Sequence, residues 1–138
     1  MKKLFALLLS LFLLFSLSAC AGVSQKVASF KNGKKQREKV VDLILDGEVE
    51  IAANGLVTLP EEEKHLSDTG ECVIVEFGGQ SAIYFFKFRG ILGESRGYVY
   101  VTDQIDWKDY VNEDVYTGTQ DWTDVEEIEE NWYSVKTE

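Results

Sequence analysis

Residues 72–88 read CVIVEFGGQSAIYFFKF, and the fold turns on how this stretch is parsed. Side chains alternate between the two sides of an extended chain, so Val73, Val75 and Phe77 share one face while Cys72, Ile74 and Glu76 share the other. Gly78-Gly79-Gln80-Ser81 supplies the residues of a tight hairpin. Beyond it, residues 82–88 are apolar at nearly every position up to Lys87, the pattern of a central strand covered on both faces. A glycine-containing loop, residues 89–97, leads to Tyr98-Val99-Tyr100-Val101-Thr102, whose aromatic and β-branched side chains suit a third strand. Residues 72–102 are therefore predicted to form an antiparallel β-meander.

Working outward toward the N-terminus, Val40, Val41, Ile44 and Leu45 fall on one face of a helix predicted over residues 34–46, with Asp42 and Asp46 on another face. Asn32-Gly33 marks the turn before it, and Gly47 its stop. Val40, Val41 and Leu43 give such a helix mixed propensity, so docking has to stabilise it. Glu48-Val49-Glu50-Ile51 alternates, and Asn54-Gly55 offers a hairpin turn before residues 56–59, which predicts a short two-stranded unit. Pro60 ends ladder donation, and Glu61-Glu62-Glu63-Lys64 reads as a polar loop or single helical turn running to Ser67-Asp68-Thr69-Gly70. The expected class is α+β, with one N-terminal helix packed on a small antiparallel β-meander sheet.

Toward the C-terminus, residues 103–138 combine carboxylates with Trp107, Tyr110, Tyr116, Trp122, Trp132 and Tyr133. Two readings stand. Trp107, Tyr110, Tyr116 and Trp122 form an interaction surface, where rings beside acids stack on a sugar or meet a cation, or these rings complete a small core. Thr123 and Glu126 have the spacing of a capping box, and Val125, Ile128 and Trp132 that of a helix face. For Trp132-Tyr133-Ser134-Val135-Lys136 a closing strand is the preferred reading.

The N-terminus has the three regions of a signal peptide in order: the charges Lys2 and Lys3, an apolar run over residues 4–15, and small residues before Cys20. The run is shorter than the ~20 residues that span a bilayer, which argues against an uncleaved transmembrane helix. Leu17-Ser18-Ala19-Cys20 resembles the lipobox of bacterial lipoproteins, in which the Cys thiol receives a diacylglycerol before the preceding segment is removed. That resemblance implies a signal peptide over residues 1–19, a mature chain starting at a lipidated Cys20, and attachment through fatty-acyl chains such as palmitate at the extracytoplasmic face of a membrane. Two or three acyl chains, at roughly 0.8 kcal/mol per buried methylene, hold a domain firmly where one does not. Residues 84–103 (YFFKFRGIL, a gap, then RGYVYVTD), with Leu59-Pro60 and Leu66-Ser67, are similar to a pattern in small bacterial membrane-anchored proteins, which implies a fold and no chemistry.

Residues 20–33 read as a basic tether and residues 34–138 as a single globular domain. Lys26, Lys31, Lys34, Lys35, Arg37 and Lys39 face the single acid Glu38, whereas from Val40 onward acids outnumber bases by 23 to 6. Basic residues beside a lipid anchor gain roughly 1 kcal/mol each from an anionic lipid surface, and an acidic body is pushed off it. An acidic domain face excludes nucleic acid as the partner to expect. With Cys20 consumed by lipid, Cys72 has no intramolecular partner and no disulfide framework exists.

Counting removes most catalytic readings. His65 is the lone histidine, so with Cys72 it cannot build a zinc site, and no metal or cofactor is expected. A Cys72–His65 nucleophile pair is conceivable, but a thiol opening a strand is more often a half-buried packing group. Gly90, Gly93 and Gly97 lack the spacing of phosphate-binding loops and read as turn glycines. Asp103, Asp106 and Asp109 have the oxygens for calcium without the spacing of an EF-hand, and read as a solvated acidic face. Two functions remain: a non-catalytic module binding an envelope protein, peptide or glycan, which is preferred, or a small hydrolase cutting envelope glycans with paired carboxylates.

Overall fold

The computed structural model describes residues 25–90, 94–103 and 122–137, which fall into two units divided after Asn32. In the first unit residues 25–31 are helical, where the basic composition predicts an irregular tether.

The second unit is α+β. A helix, α1 (Lys34–Leu45), precedes six strands: β1 (Leu56–Thr58), β2 (Glu71–Phe77), β3 (Gln80–Arg89), β4 (Ser95–Val101), β5 (Trp122–Glu129) and β6 (Trp132–Thr137). A single 3-10 turn, Lys64–Leu66, sits between β1 and β2. The strands form one sheet in the order β1-β2-β3-β4-β6-β5, with every neighbouring pair antiparallel. The meander predicted over residues 72–102 is its centre.

α1 starts at Gly33 without a side-chain cap and ends on Gly47, whose φ of +72° is cheap for a residue with no Cβ. The Glu48 N–H donates to the Leu43 carbonyl at 2.9 Å and the Gly47 N–H to the Ile44 carbonyl at 3.1 Å, the paired bonds of a Schellman stop. Val40, Val41 and Ile44 are buried, as their spacing predicts, and so is Arg37.

The hairpin between β2 and β3 closes on Gly78 and Gly79 with φ of +55° and +81°, the double left-handed turn that matches strand twist. Register then sorts the side chains. Pairings Val73↔Tyr84, Tyr84↔Val99 and Val99↔Tyr133 run across one face, here the front; Cys72↔Phe85, Phe85↔Tyr98 and Tyr100↔Trp132 run across the back. The front holds a buried cluster that includes Val73, Phe77, Tyr84, Phe86, Val99 and Val135. Burying an apolar side chain fully is worth about 1.5–3 kcal/mol, so this cluster is a main source of stability. Within it the Tyr84 hydroxyl lies 2.9 Å from Ser95 Oγ, which lies 3.0 Å from Thr137 Oγ1, and the Ser95 N–H donates to Thr137 Oγ1 at 2.9 Å. Each hydroxyl has a partner, which removes the penalty of burying it.

Four local expectations are corrected. Residues 48–51 are not a strand: Asn54-Gly55 turns the chain, but β1 pairs with β2 through Leu56↔Val73, because Gly55 lies so close to the Ile74 carbonyl that a Cβ there would be 2.3 Å from it. Residues 122–129 are a strand, not a helix: a bulge between Glu127 and Glu129 inserts Ile128, so the three-residue spacing from Val125 imitates a helix. Gly97 lies inside β4 rather than in a loop, and a Cβ on it would meet the Phe85 carbonyl at 2.1 Å and the Tyr84 ring at 2.6 Å. The third strand correspondingly begins at Ser95, earlier than the aromatic run suggests. The closing strand at Trp132–Thr137 is as predicted.

Candidate functional site

The residues that gather charge and aromatic surface come from three elements. On α1, Lys34, Glu38, Val41 and Asp42 stand at i, i+4, i+7 and i+8, one stripe of a helix. On the sheet, Tyr100 of β4 and Trp132 of β6 are direct cross-strand partners, their rings 5.2 Å apart and edge to face. Between β5 and β6, Asn131 takes a left-handed turn with φ of +67°, a conformation that Asn tolerates, and presents Glu129 and Glu130 beside the pair.

Together these nine residues line a cleft of about 510 Å³. Lys34 Nζ pairs with Glu129 Oε2 and lies 3.5 Å from Glu38 Oε1. The hydrogen bond that Lys34 donates to Glu129, with the charge of Glu38 adding to it and desolvation opposing, raises the Lys34 pKa above its ordinary range. Four carboxylates against one ammonium leave the cleft anionic, and Trp132, only 2% exposed, forms part of its apolar floor. Such an arrangement can hold a cation: the carboxylates meet the charge, and the half-buried Tyr100 ring offers surface to apolar groups beside it.

Next to the cleft, Arg37 is buried, with Cζ 4.6 Å from the centre of the Tyr98 ring, while Lys87 Nζ lies 5.6 Å from the same ring. Desolvation by burial lowers the Arg37 pKa, partly offset by Tyr98. Lys39 donates to the buried Glu63 at 2.6 Å, and that hydrogen bond raises the Lys39 pKa. A second cleft of about 460 Å³ lies between residues 51–55 and 73–76, and among the described residues Glu76 is its sole titratable lining residue.

The residues singled out from the sequence are distributed differently. Cys20, Trp107, Tyr110 and Tyr116 lie outside the described residues, as does the side chain of Trp122, which opens β5. His65 is exposed on the Lys64–Leu66 turn, whereas Cys72 is fully buried, and burial pushes its thiol up to about 12. A thiol in that state is no nucleophile near neutral pH. Asp103 is exposed and accepts a hydrogen bond from Gln80 Nε2 at 3.3 Å; Asp106 and Asp109 lie outside the described residues. Among the described residues no group of three or more His, Cys, Asp or Glu side chains is placed to hold a metal ion.

Sequence reasoning missed the cleft because its parts are far apart in the chain: α1 lies well before Tyr100, and Tyr100 meets Trp132 only through the pairing of β4 with β6. One signal was present: Lys34, Glu38 and Asp42 repeat at four-residue steps on the helix face next to its apolar stripe. Compared with family models, with curated proteins and with solved structures, the chain matches none.

Proposed function

We propose that this is a membrane-anchored extracytoplasmic lipoprotein whose globular domain is a non-catalytic binding module for a cationic envelope component, either a peptide or a basic segment of a protein. Leu17-Ser18-Ala19-Cys20, following the apolar run of residues 4–15, supports the anchor, with residues 1–19 the signal peptide and residues 20–33 the link to the domain. Among the described residues no helix is long and apolar enough to cross a membrane.

In the domain, α1 packs on the back face of the sheet. Arg37 over Tyr98, the Lys34–Glu129 pair and the burial of Val40, Val41 and Ile44 support that arrangement. The observation that carries the binding reading is the cleft itself, where Glu38, Asp42, Glu129 and Glu130 surround Tyr100 and Trp132. Charge steers such a ligand, and salt screens it at a Debye length of about 8 Å at physiological ionic strength.

Calorimetric titration with a short lysine-containing peptide tests the reading. Binding is expected to weaken as salt rises and to fall at least threefold in Asp42→Asn and Glu130→Gln. Affinity indifferent to salt and to both substitutions contradicts it. The four carboxylates around one cleft also support a second reading, a hydrolase of envelope glycans. Release of reducing ends from a polymeric glycan, lost in those same variants, favours that reading over binding alone.

A further inference from the structure

The acidic cleft continues into an edge of the sheet. β5 is the last strand on its side, so among the described residues no strand pairs with its outer edge. Bulges break its ladder at residues 123 and 128 and leave residues 124–127 in regular register with Lys136, Val135, Ser134 and Tyr133. Glu129 at the end of this strand, and Glu130 just beyond it, line the cleft.

The alternation of the ladders decides which backbone groups face outward. The N–H groups of Ser95 and Val101 point from β4 toward β6, to Thr137 Oγ1 and the Asn131 carbonyl. Every second residue of an antiparallel strand turns the same way, so Gly97 and Val99 bond toward their partners Val135 and Tyr133. Ser134 and Lys136 then turn to β5, where they meet Glu126 and Asp124. Val125 and Glu127 are left with N–H and C=O groups aimed away from the sheet, and a row of this kind is a template for another strand.

Charge decides which strand. β5 carries Asp124, Glu126, Glu127 and Glu129 within eight residues, with Asp124 and Glu127 exposed. A second copy, with a net charge of -10 and the same acids on its own edge, is repelled. A strand with lysine or arginine at alternate positions is attracted. The pairing Tyr98↔Ser134 continues to Glu126 on the back, and Val99↔Tyr133 to Glu127 on the front. A strand added antiparallel to β5, as every neighbouring pair in this sheet is, therefore lays one set of side chains on the back beside Asp124 and Glu126 and the other on the front beside Val125. Basic residues on the back and apolar ones on the front match these neighbours.

We propose that β5 takes a cationic peptide segment in extended form as an added strand, hydrogen-bonded to Val125 and Glu127 and running into the acidic cleft. This rests on the binding reading given above and adds to it the conformation of the ligand and the edge that holds it.

Calorimetric titration of the full chain with the peptide Lys-Val-Lys-Val-Lys-Val, and with two forms of it N-methylated at the valines or at the lysines, tests the proposal. In antiparallel addition the valines stand opposite Val125 and Glu127 and exchange the hydrogen bonds. Methylation of the valines is expected to weaken binding at least tenfold, and methylation of the lysines less than threefold. Glu127→Pro loses an N–H that the sheet does not use, so it is expected to fold and to weaken binding at least tenfold. Glu127→Gln, which removes the charge alone, is expected to weaken it no more than threefold. The peptide comparison needs no variant to fold. Equal affinity of the two methylated peptides overturns the proposal; if binding still falls in Asp42→Asn, the cleft reading survives without the edge. No binding of the unmethylated peptide overturns both.

Discussion

On the front of the sheet Val73, Phe86 and Val99 meet other strand side chains, whereas on the back Phe85, Tyr98 and Trp132 share their surroundings with Arg37, Lys87 and the acids of the cleft. Adjacent residues of one strand, Phe85 and Phe86, thus belong to two kinds of interior. The front buries an apolar cluster that encloses the hydrogen-bonded hydroxyls of Tyr84, Ser95 and Thr137, and Arg89 lays its Cζ 4.3 Å from the centre of the Phe86 ring. The back combines burial with charge, and charge is what a partner can recognise.

The sharpest way to break the front is at its tightest contact. A Cβ at Gly97 would meet backbone 2.1 Å away, which cannot move aside as a side chain can, so Gly97→Val is expected to cost more than about 4 kcal/mol in a urea melt. An unchanged midpoint would remove the close approach of β3 and β4 from the account.

The two faces are compared directly by Phe86→Ala and Phe85→Ala, since both rings are essentially fully buried. Each is expected to cost about 3–5 kcal/mol. A Phe85→Ala cost well below that of Phe86→Ala would mean that the back has no covering layer, against the packing of α1 proposed above.

Alkaline pH probes one group on each face. Burial pushes Cys72 at the back up to about 12 from 9.0, and burial pushes Tyr84 at the front up to about 12 from 10.0, with Ser95 opposing the shift. Both groups stay protonated in the fold over a range in which the unfolded chain releases its protons. Their contribution is therefore complete below about pH 9 and is lost as pH rises to about 12, at roughly 1.4 kcal/mol per unit for each group. Cys72→Ala is expected to flatten this decline from pH 9 upward and Tyr84→Phe from pH 10 upward; a stability curve level to pH 12 would contradict both burials.

The smallest effect belongs to the rim of the back face. Lys34 and Glu129 are each about a third exposed, so Lys34→Met is expected to shift the urea midpoint only slightly, and less in high salt. A larger, salt-insensitive loss would make the pair a structural clasp instead of part of a solvated cleft.

The front was legible in the sequence because alternation is a local signal: Val73, Val75 and Phe77 announce their face two residues at a time. The end of α1 was legible for the same reason, through Gly47. The back was not. Arg37 reads as one more cation in a basic run, and nothing local says that it is buried over Tyr98, some 60 residues away. The strand at residues 122–129 was hidden by its bulge, which gives Val125 and Ile128 a helical interval. The candidate site was legible only as a stripe, Lys34, Glu38 and Asp42, since its aromatic half arrives through sheet pairing.

The proposed anchor would decide what any of this surface can meet, and that proposal rests on Cys20. Intact-mass measurement of the protein purified from the membranes of its native host tests it most directly. The account predicts a chain that begins at Cys20 and carries a diacylglyceryl group; a chain that keeps residues 1–19 and carries no lipid would contradict it.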